Sequence, residues 1–159
     1  MDHINSYLSF RLNKEYYASS VSFVHNIIEY TEITAVPDMP SYMLGIINLR
    51  GQVLPVVDLR VKFGLLNRDI TSNTCILVME VSIGADQVLV GALVDGVSEV
   101  IEIEDSELKA PPSLGSKLKN DFITGVYHDD EKFILIMNMN RVFSEAEIID
   151  LQGLAAEMS

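Results

Sequence analysis

The chain has 159 residues, 48% of them hydrophobic, with 11 basic residues against 23 acidic ones for a net charge of −12. A globular chain of this length buries about two-thirds of its surface, so a core forms without disulfides or metals, and disorder is excluded. The acidic excess repels nucleic-acid phosphates and anionic lipid headgroups, which excludes both as general partners.

The single cysteine, Cys75, sits among Thr74, Ile76, Leu77 and Val78, the setting of a buried structural thiol in a reducing compartment. The opening Met-Asp-His-Ile-Asn lacks the basic-then-apolar order of a signal peptide, and no apolar run reaches membrane-spanning length. A soluble cytoplasmic protein, without direct membrane insertion and organised as a single domain over 1–159, is expected.

Short strands dominate the pattern. Leu8, Phe10 and Leu12 alternate with Tyr7, Ser9 and Arg11, the period of a half-buried strand. The β-formers of 16–28 predict one or two further strands, whereas the prolines of Val36-Pro-Asp-Met-Pro40 keep that segment out of a central sheet. Ile46–Leu49 and Val53–Val57 flank Arg50-Gly51-Gln52 as a hairpin. Asp58 then caps a short helix, Leu59–Phe63, which Gly64 ends.

Strands are next expected at Cys75–Val81 and Val88–Val94, around a turn at 83–86. In Val97–Ile103, Val97, Ile103 and either Val100 or Ile101 compete for the buried face. Lys109–Lys119, with Pro111 and Pro112, reads as a loop. Phe122–Tyr127 and Phe133–Met137 form a second hairpin over the polar turn 128–132. Ser144 and Glu147 then make a capping box for a helix over about 144–157, with Ile148, Ile149, Leu151, Leu154 and Ala155 at helical spacing. Roughly nine strands with a few short helices indicate an all-β fold, either one barrel or paired small barrels. The sequence shows no repeat.

Chemistry finds little support. His3, His25 and His128 are far apart, and neither 102–107 nor 129–131 has the spacing of a calcium loop, so no metal or cofactor is expected. Asp95-Gly96 after an apolar strand has the order of a retroviral-type aspartic protease loop. It lacks the hydroxyl residue that such loops carry between Asp and Gly, and a strand-end Asp that accepts a turn hydrogen bond explains it as well. Arg50, at the tip of an otherwise apolar hairpin, offers a fixed fork of donors to a carboxylate; a solvated tip is the bland alternative.

Taken in order, these motifs resemble the CheW family, the adaptors of bacterial chemotaxis arrays. The resemblance runs from Tyr7-Leu-Ser-Phe10 through Val24-His-Asn-Ile27-Ile28 and Ile33-Thr-Ala-Val36-Pro37 to Asn48-Leu-Arg-Gly51, Pro55 and Asp58-Leu-Arg60. It continues at Gly91-Ala-Leu-Val-Asp95-Gly-Val97-Ser-Glu-Val100 and ends, in the enteric style, at Phe133-Ile-Leu-Ile-Met-Asn138 and Ser144-Glu145. The family implies two SH3-like five-stranded β-barrel subdomains on a shared core, with a C-terminal helix and no catalysis.

It also implies coupling of methyl-accepting chemoreceptors to the histidine kinase CheA, at arrays beneath the inner membrane. Receptor tips would lie in a groove between the barrels, at the positions of Leu8, Val21, Val24 and Val97, with Arg50 affecting the coupling. The kinase's regulatory domain would meet the first barrel, with Ile33, Met39, Pro40 and Met43 as candidate contacts. A coupling protein of a parallel chemosensory system, such as one for surface motility, fits the same motifs. Because the sequence ends soon after its last predicted helix, the two-domain arrangement of CheV, with its receiver domain, is not expected.

The chain departs from the family pattern at Asn26, where a Glu is common, and at Ser19 and Ser20. The groove positions also have ordinary readings. Leu8 alternates as core, Val21 and Val24 divide between core and contact, and Val97 follows a turn.

Overall fold

The computed structural model describes residues 3–67, 69–111 and 122–157. In chain order the strands are β1 (Ile4–Leu12), β2 (Glu15–Ser20), β3 (Val24–Glu29), β4 (Met43–Leu49) and β5 (Gln52–Asp58). After the short helix α1 (Leu59–Lys62) come β6 (Cys75–Ile83), β7 (Asp86–Val94), β8 (Gly96–Glu104), β9 (Ile123–Asp129), β10 (Lys132–Met137) and the helix α2 (Glu145–Glu157). The loop expected over 109–119 lies outside the described residues from 112 onward.

The strands form two five-stranded sheets, ordered β8-β1-β2-β10-β9 and β3-β6-β7-β5-β4. Both are built alike. A central antiparallel hairpin (β1–β2, β6–β7) takes an antiparallel strand on its first member (β8, β3). Its second member pairs in parallel with another hairpin (β10–β9, β5–β4). Matching the sheets position by position sets β8, β9, β10, β1, β2 against β3, β4, β5, β6, β7. The first sheet is therefore a circular permutation of the second, closed by the N-terminal hairpin. This is a repeat of topology, which the sequence does not display as a repeat of residues. In hydrogen-bonding terms each subdomain is an open five-stranded sheet rather than a closed ring.

The same device covers the outer strand of each second hairpin. Thr34 exchanges backbone hydrogen bonds of 2.9 Å with Ile46 on β4, as Lys109 does with Val126 on β9. A glycine, Gly45 or Gly125, precedes the paired residue each time. At Gly45, with φ +146°, a Cβ would stand 2.0 Å from the Thr34 carbonyl oxygen. Only glycine permits that approach.

Burial follows from this arrangement. One face of each sheet lines its own small core: Ile47, Leu54, Val56, Ile76, Val78 and Leu93 in the second, Ala18, Ile103, Ile134 and Ile136 in the first. The other faces meet in a shared core, where Leu8, Phe10, Leu12 and Tyr17 pack with Leu77, Met79, Val81, Val90, Ala92 and Val94. Strands β6 and β7 are buried on both faces, so their sequences run apolar without alternation. Helix α2 closes the shared core with Ile148, Leu151 and Leu154. Ile149, expected on that apolar face, is 52% exposed; at about 100° per residue it stands one step beyond the buried stripe.

Candidate functional site

Of the expected receptor positions, three belong to or pack against the core shared by the two sheets. Leu8, 4% exposed, belongs to the shared core, and Val24 and Val97 lie half-buried against it. Val21 is exposed in the 3-10 turn Val21–Phe23, where the Ser20 hydroxyl accepts a hydrogen bond from the Ser22 backbone N–H. Leu8 thus shapes the seam from beneath, while the three valines present surface.

Ser9 sets the position of Val97. Its hydroxyl donates to the Glu99 carbonyl at 3.1 Å and accepts from the Glu99 N–H at 3.2 Å. This holds a register shift in the pairing of β1 with β8, so that Phe10 is opposite Val97 and Leu8 opposite Val100. Ile101 turns inward and Val100 stands 59% exposed, which settles the choice that the sequence left open. Val97 also lines a cleft of about 620 Å³ with Ile27, Ile28, Cys75 and the 71–74 segment. Exposed Val100 and Ile27 are surface members that alternation alone did not single out. Burial raises the pKa of the half-buried Cys75 thiol, which suits an inert side chain.

Arg50 stands at the tip of the β4–β5 hairpin with φ +53°, followed by Gly51 at +84°. Positive φ at both central residues is the two-residue turn that matches strand twist, and the Asn48 side chain fixes it by accepting from the Gly51 N–H at 2.9 Å. A left-handed conformation costs a non-glycine residue about 1–2 kcal/mol. Among the described residues the exposed guanidinium has no hydrogen bond or ion pair. Asn26 does not reach it: its side-chain oxygen accepts from the adjacent Ile27 N–H at 2.8 Å.

The expected kinase contacts divide between two clefts. Ile33 lines one of about 730 Å³ with Tyr30, Leu44 and Ile70, floored by Asp58 and Arg60. Met39 and Pro40 line another beside α2. Met43, 6% exposed, faces the shared core, and its backbone N–H donates to the Pro40 carbonyl at 2.9 Å. It supports the 37–40 turn from below rather than offering surface.

Asp95 is committed to the fold. One carboxylate oxygen accepts from Arg60 Nη1 at 2.8 Å, the other from the Asn13 backbone N–H at 2.6 Å. Arg60 in turn is gripped by both oxygens of Asp58 at 3.0 Å and donates to the Asp69 carbonyl. Burial works against the guanidinium charge, but Asp58 and Asp95 outweigh it and raise the Arg60 pKa. These bonds give Asp95 the structural role of a strand-end residue that ties a turn and a buried cation together. Among the described residues no group of His, Cys, Asp and Glu gathers as a metal site, and no helix is long and apolar enough to cross a membrane.

Comparison with known proteins agrees with this fold. Residues 6–147 match the family model described as a CheW-like domain. The chain is 34% identical over 140 residues to a probable chemotaxis protein CheW of Rhizobium etli, covering 88% of each. It is 32% identical over 136 residues to the chemotaxis protein CheW of Bacillus subtilis, covering 86% of this chain and 85% of that one. The crystal structure of the scaffolding protein TtCheW from Thermoanaerobacter tengcongensis superposes with a TM-score of 0.78 at 30% identity, over 89% of this chain and 94% of that one.

Proposed function

The chain belongs to the CheW-like domain family of chemotaxis scaffolds, and on that premise we propose that it couples methyl-accepting chemoreceptors to the histidine kinase CheA. The observation that carries this reading is the seam between the sheets. Val24 and Val97 lie half-buried against the shared core, and Val21 is exposed in the turn that leads into β3. An amphipathic helix end docks into such a surface through apolar anchors. Arg50, held in a strained conformation and without a hydrogen bond or ion pair among the described residues, is poised for a carboxylate of the receptor. Ile33, Met39 and Pro40, with Met43 beneath the 37–40 turn, are assigned to the surface that meets the kinase's regulatory domain. The protein works as a non-enzymatic adaptor in the cytoplasm, at receptor arrays beneath the inner membrane.

Reconstitution tests the coupling role. A receptor signalling fragment displayed on vesicles should sediment CheA only when this protein is present, and kinase activity should become receptor-dependent. If the kinase sediments equally without the protein, or the protein binds neither component, the coupling role fails.

A further inference from the structure

The cleft that holds Ile33 and the cleft that holds Val97 share a wall. Tyr30 lines both, and the 69–74 segment gives Ile70 to the first and Thr71, Asn73 and Thr74 to the second. Within this segment the Thr74 hydroxyl accepts from the Thr71 N–H at 2.8 Å, and the Thr74 N–H donates to the Thr71 carbonyl at 3.1 Å. Asn73 packs beside Gly96, the residue before Val97: a Cβ on Gly96 would lie 3.7 Å from the Asn73 Cβ. Residues 69–73 are exposed, and Thr74 alone in the segment is buried. Apolar packing therefore does not fix the wall.

A closed ring of hydrogen bonds does. Arg60 Nη1 donates to the Asp69 carbonyl and to one oxygen of Asp95, each at 2.8 Å. The other Asp95 oxygen accepts from the Asn13 N–H at 2.6 Å. The Asn13 side chain clasps the Asn67 backbone, accepting from its N–H at 3.0 Å and donating to its carbonyl at 3.2 Å. The Asn67 side chain closes the ring by accepting from the Asp69 N–H at 3.0 Å. Asn13 stands in the two-residue turn between β1 and β2 with φ +56°, a conformation that glycine adopts without steric cost. The turn itself does not call for a side chain at 13. The amide is used on Asn67, and through it the first sheet holds the wall.

On the coupling role proposed above, we infer that Asn13 is a positioning residue. Its clasp on Asn67 fixes the wall common to both clefts in the shape that receives a receptor tip on one side and the kinase's regulatory domain on the other. A surface held in place before binding loses less freedom on binding, so one clasp contributes to both affinities.

Asn13→Gly removes the clasp but keeps the left-handed turn and the N–H that Asp95 accepts. Asn67→Ala breaks the ring at a second point by removing the acceptor of the Asp69 N–H. Cys75, the chain's single cysteine, follows Thr74 and lines the Val97 cleft half-buried, so its thiol reports movement of the wall. Both variants should raise the rate of its modification by dithiodipyridine about fivefold or more, well below the Tm. That rate should not vary with low urea concentrations, the mark of local opening rather than global unfolding. Calorimetry with a receptor-tip fragment and with the purified regulatory domain of CheA should show both affinities lowered about threefold or more. A merely structural clasp would lower the Tm and leave those affinities as they are. Affinities unchanged in either variant, or a loss confined to one partner, overturn the inference and leave the coupling role standing. So does a thiol rate that is unchanged or that follows global unfolding. A wild-type chain that binds neither partner removes both the inference and the coupling role.

Discussion

Arg60 is 1% exposed and still charged, because its guanidinium takes both oxygens of Asp58 and one of Asp95. Through Asp95 and the Asn13 N–H it ties α1 and the β7–β8 turn of one sheet to the β1–β2 turn of the other. Arg60→Met leaves two largely buried carboxylates without their cation and should cost about 3–5 kcal/mol in urea unfolding. Asp95→Asn keeps an acceptor for Asn13 and leaves the Asp58 pair intact, so its cost should be nearer 1–2 kcal/mol. Equal costs would mean that the cluster is not centred on Arg60. Gly45 is constrained by distance rather than charge: Gly45→Ala drives a Cβ into the Thr34 carbonyl and should cost more than about 3 kcal/mol by the same measurement.

Among the elements, α2 shows how a local signal and a tertiary contact combine. The capping box forms as the spacing predicts, with the Ser144 hydroxyl accepting from the Glu147 N–H and the Glu147 carboxylate accepting from the Ser144 N–H. The same carboxylate pairs with Lys62, which lies 4.7 Å from the centre of the Tyr42 ring, so α2 is fastened to α1. Burial alone would raise the Glu147 pKa; hydrogen bonds from Lys62, the Ser144 N–H and the Tyr42 hydroxyl outweigh it and hold the carboxyl below its usual value. A pKa lower in the folded than in the unfolded state adds stability above the unfolded value of about 4.3, and that stability is lost as pH falls through the folded value. Glu147→Gln should therefore flatten the acid limb of a Tm-against-pH curve while changing stability at pH 7 by about 1 kcal/mol or less. An unchanged acid limb would remove the clasp. The buried stripe predicts a contrast along the helix: Leu151→Ala should cost about 2–5 kcal/mol, and Ile149→Ala, on exposed surface, about 0.5 or less.

The molecule as a whole is two copies of one topology, of which only the second is continuous in sequence, over 24–94. The first is assembled from β1–β2 and β8–β10, chain segments separated by the whole of the second sheet. The core shared by the two sheets, against which Val24 and Val97 pack, is a product of that closure. A charge placed there is desolvated on docking without a partner, so Val24→Asp should weaken receptor-fragment binding by about 2 kcal/mol or more. Arg50→Ala should cost less and act mainly through the on-rate and its salt dependence, as expected of a charge at a rim. Affinities measured at two salt concentrations separate these effects; normal binding by a folded Val24→Asp chain would move receptor contact away from the seam.

The sequence by itself determined what depends on near neighbours along the chain. The β4–β5 hairpin, Asp58 as the cap of α1, the capping box of α2 and the alternation of β1 are read from residues a few positions apart, where local hydrogen bonds and side-chain period decide the outcome. Only the tertiary structure decided which hairpins pair in parallel, as β2 with β10 and β5 with β7 do, because apolar runs buried on both faces do not indicate their neighbours. It also turned Val100 outward through a register shift held by Ser9, and buried Met43, a residue in a candidate contact segment. Arg60 is the sharpest case. Its burial depends on Asp95, 35 positions away, and a cation is stable inside a protein only when the fold brings its counter-charges to it.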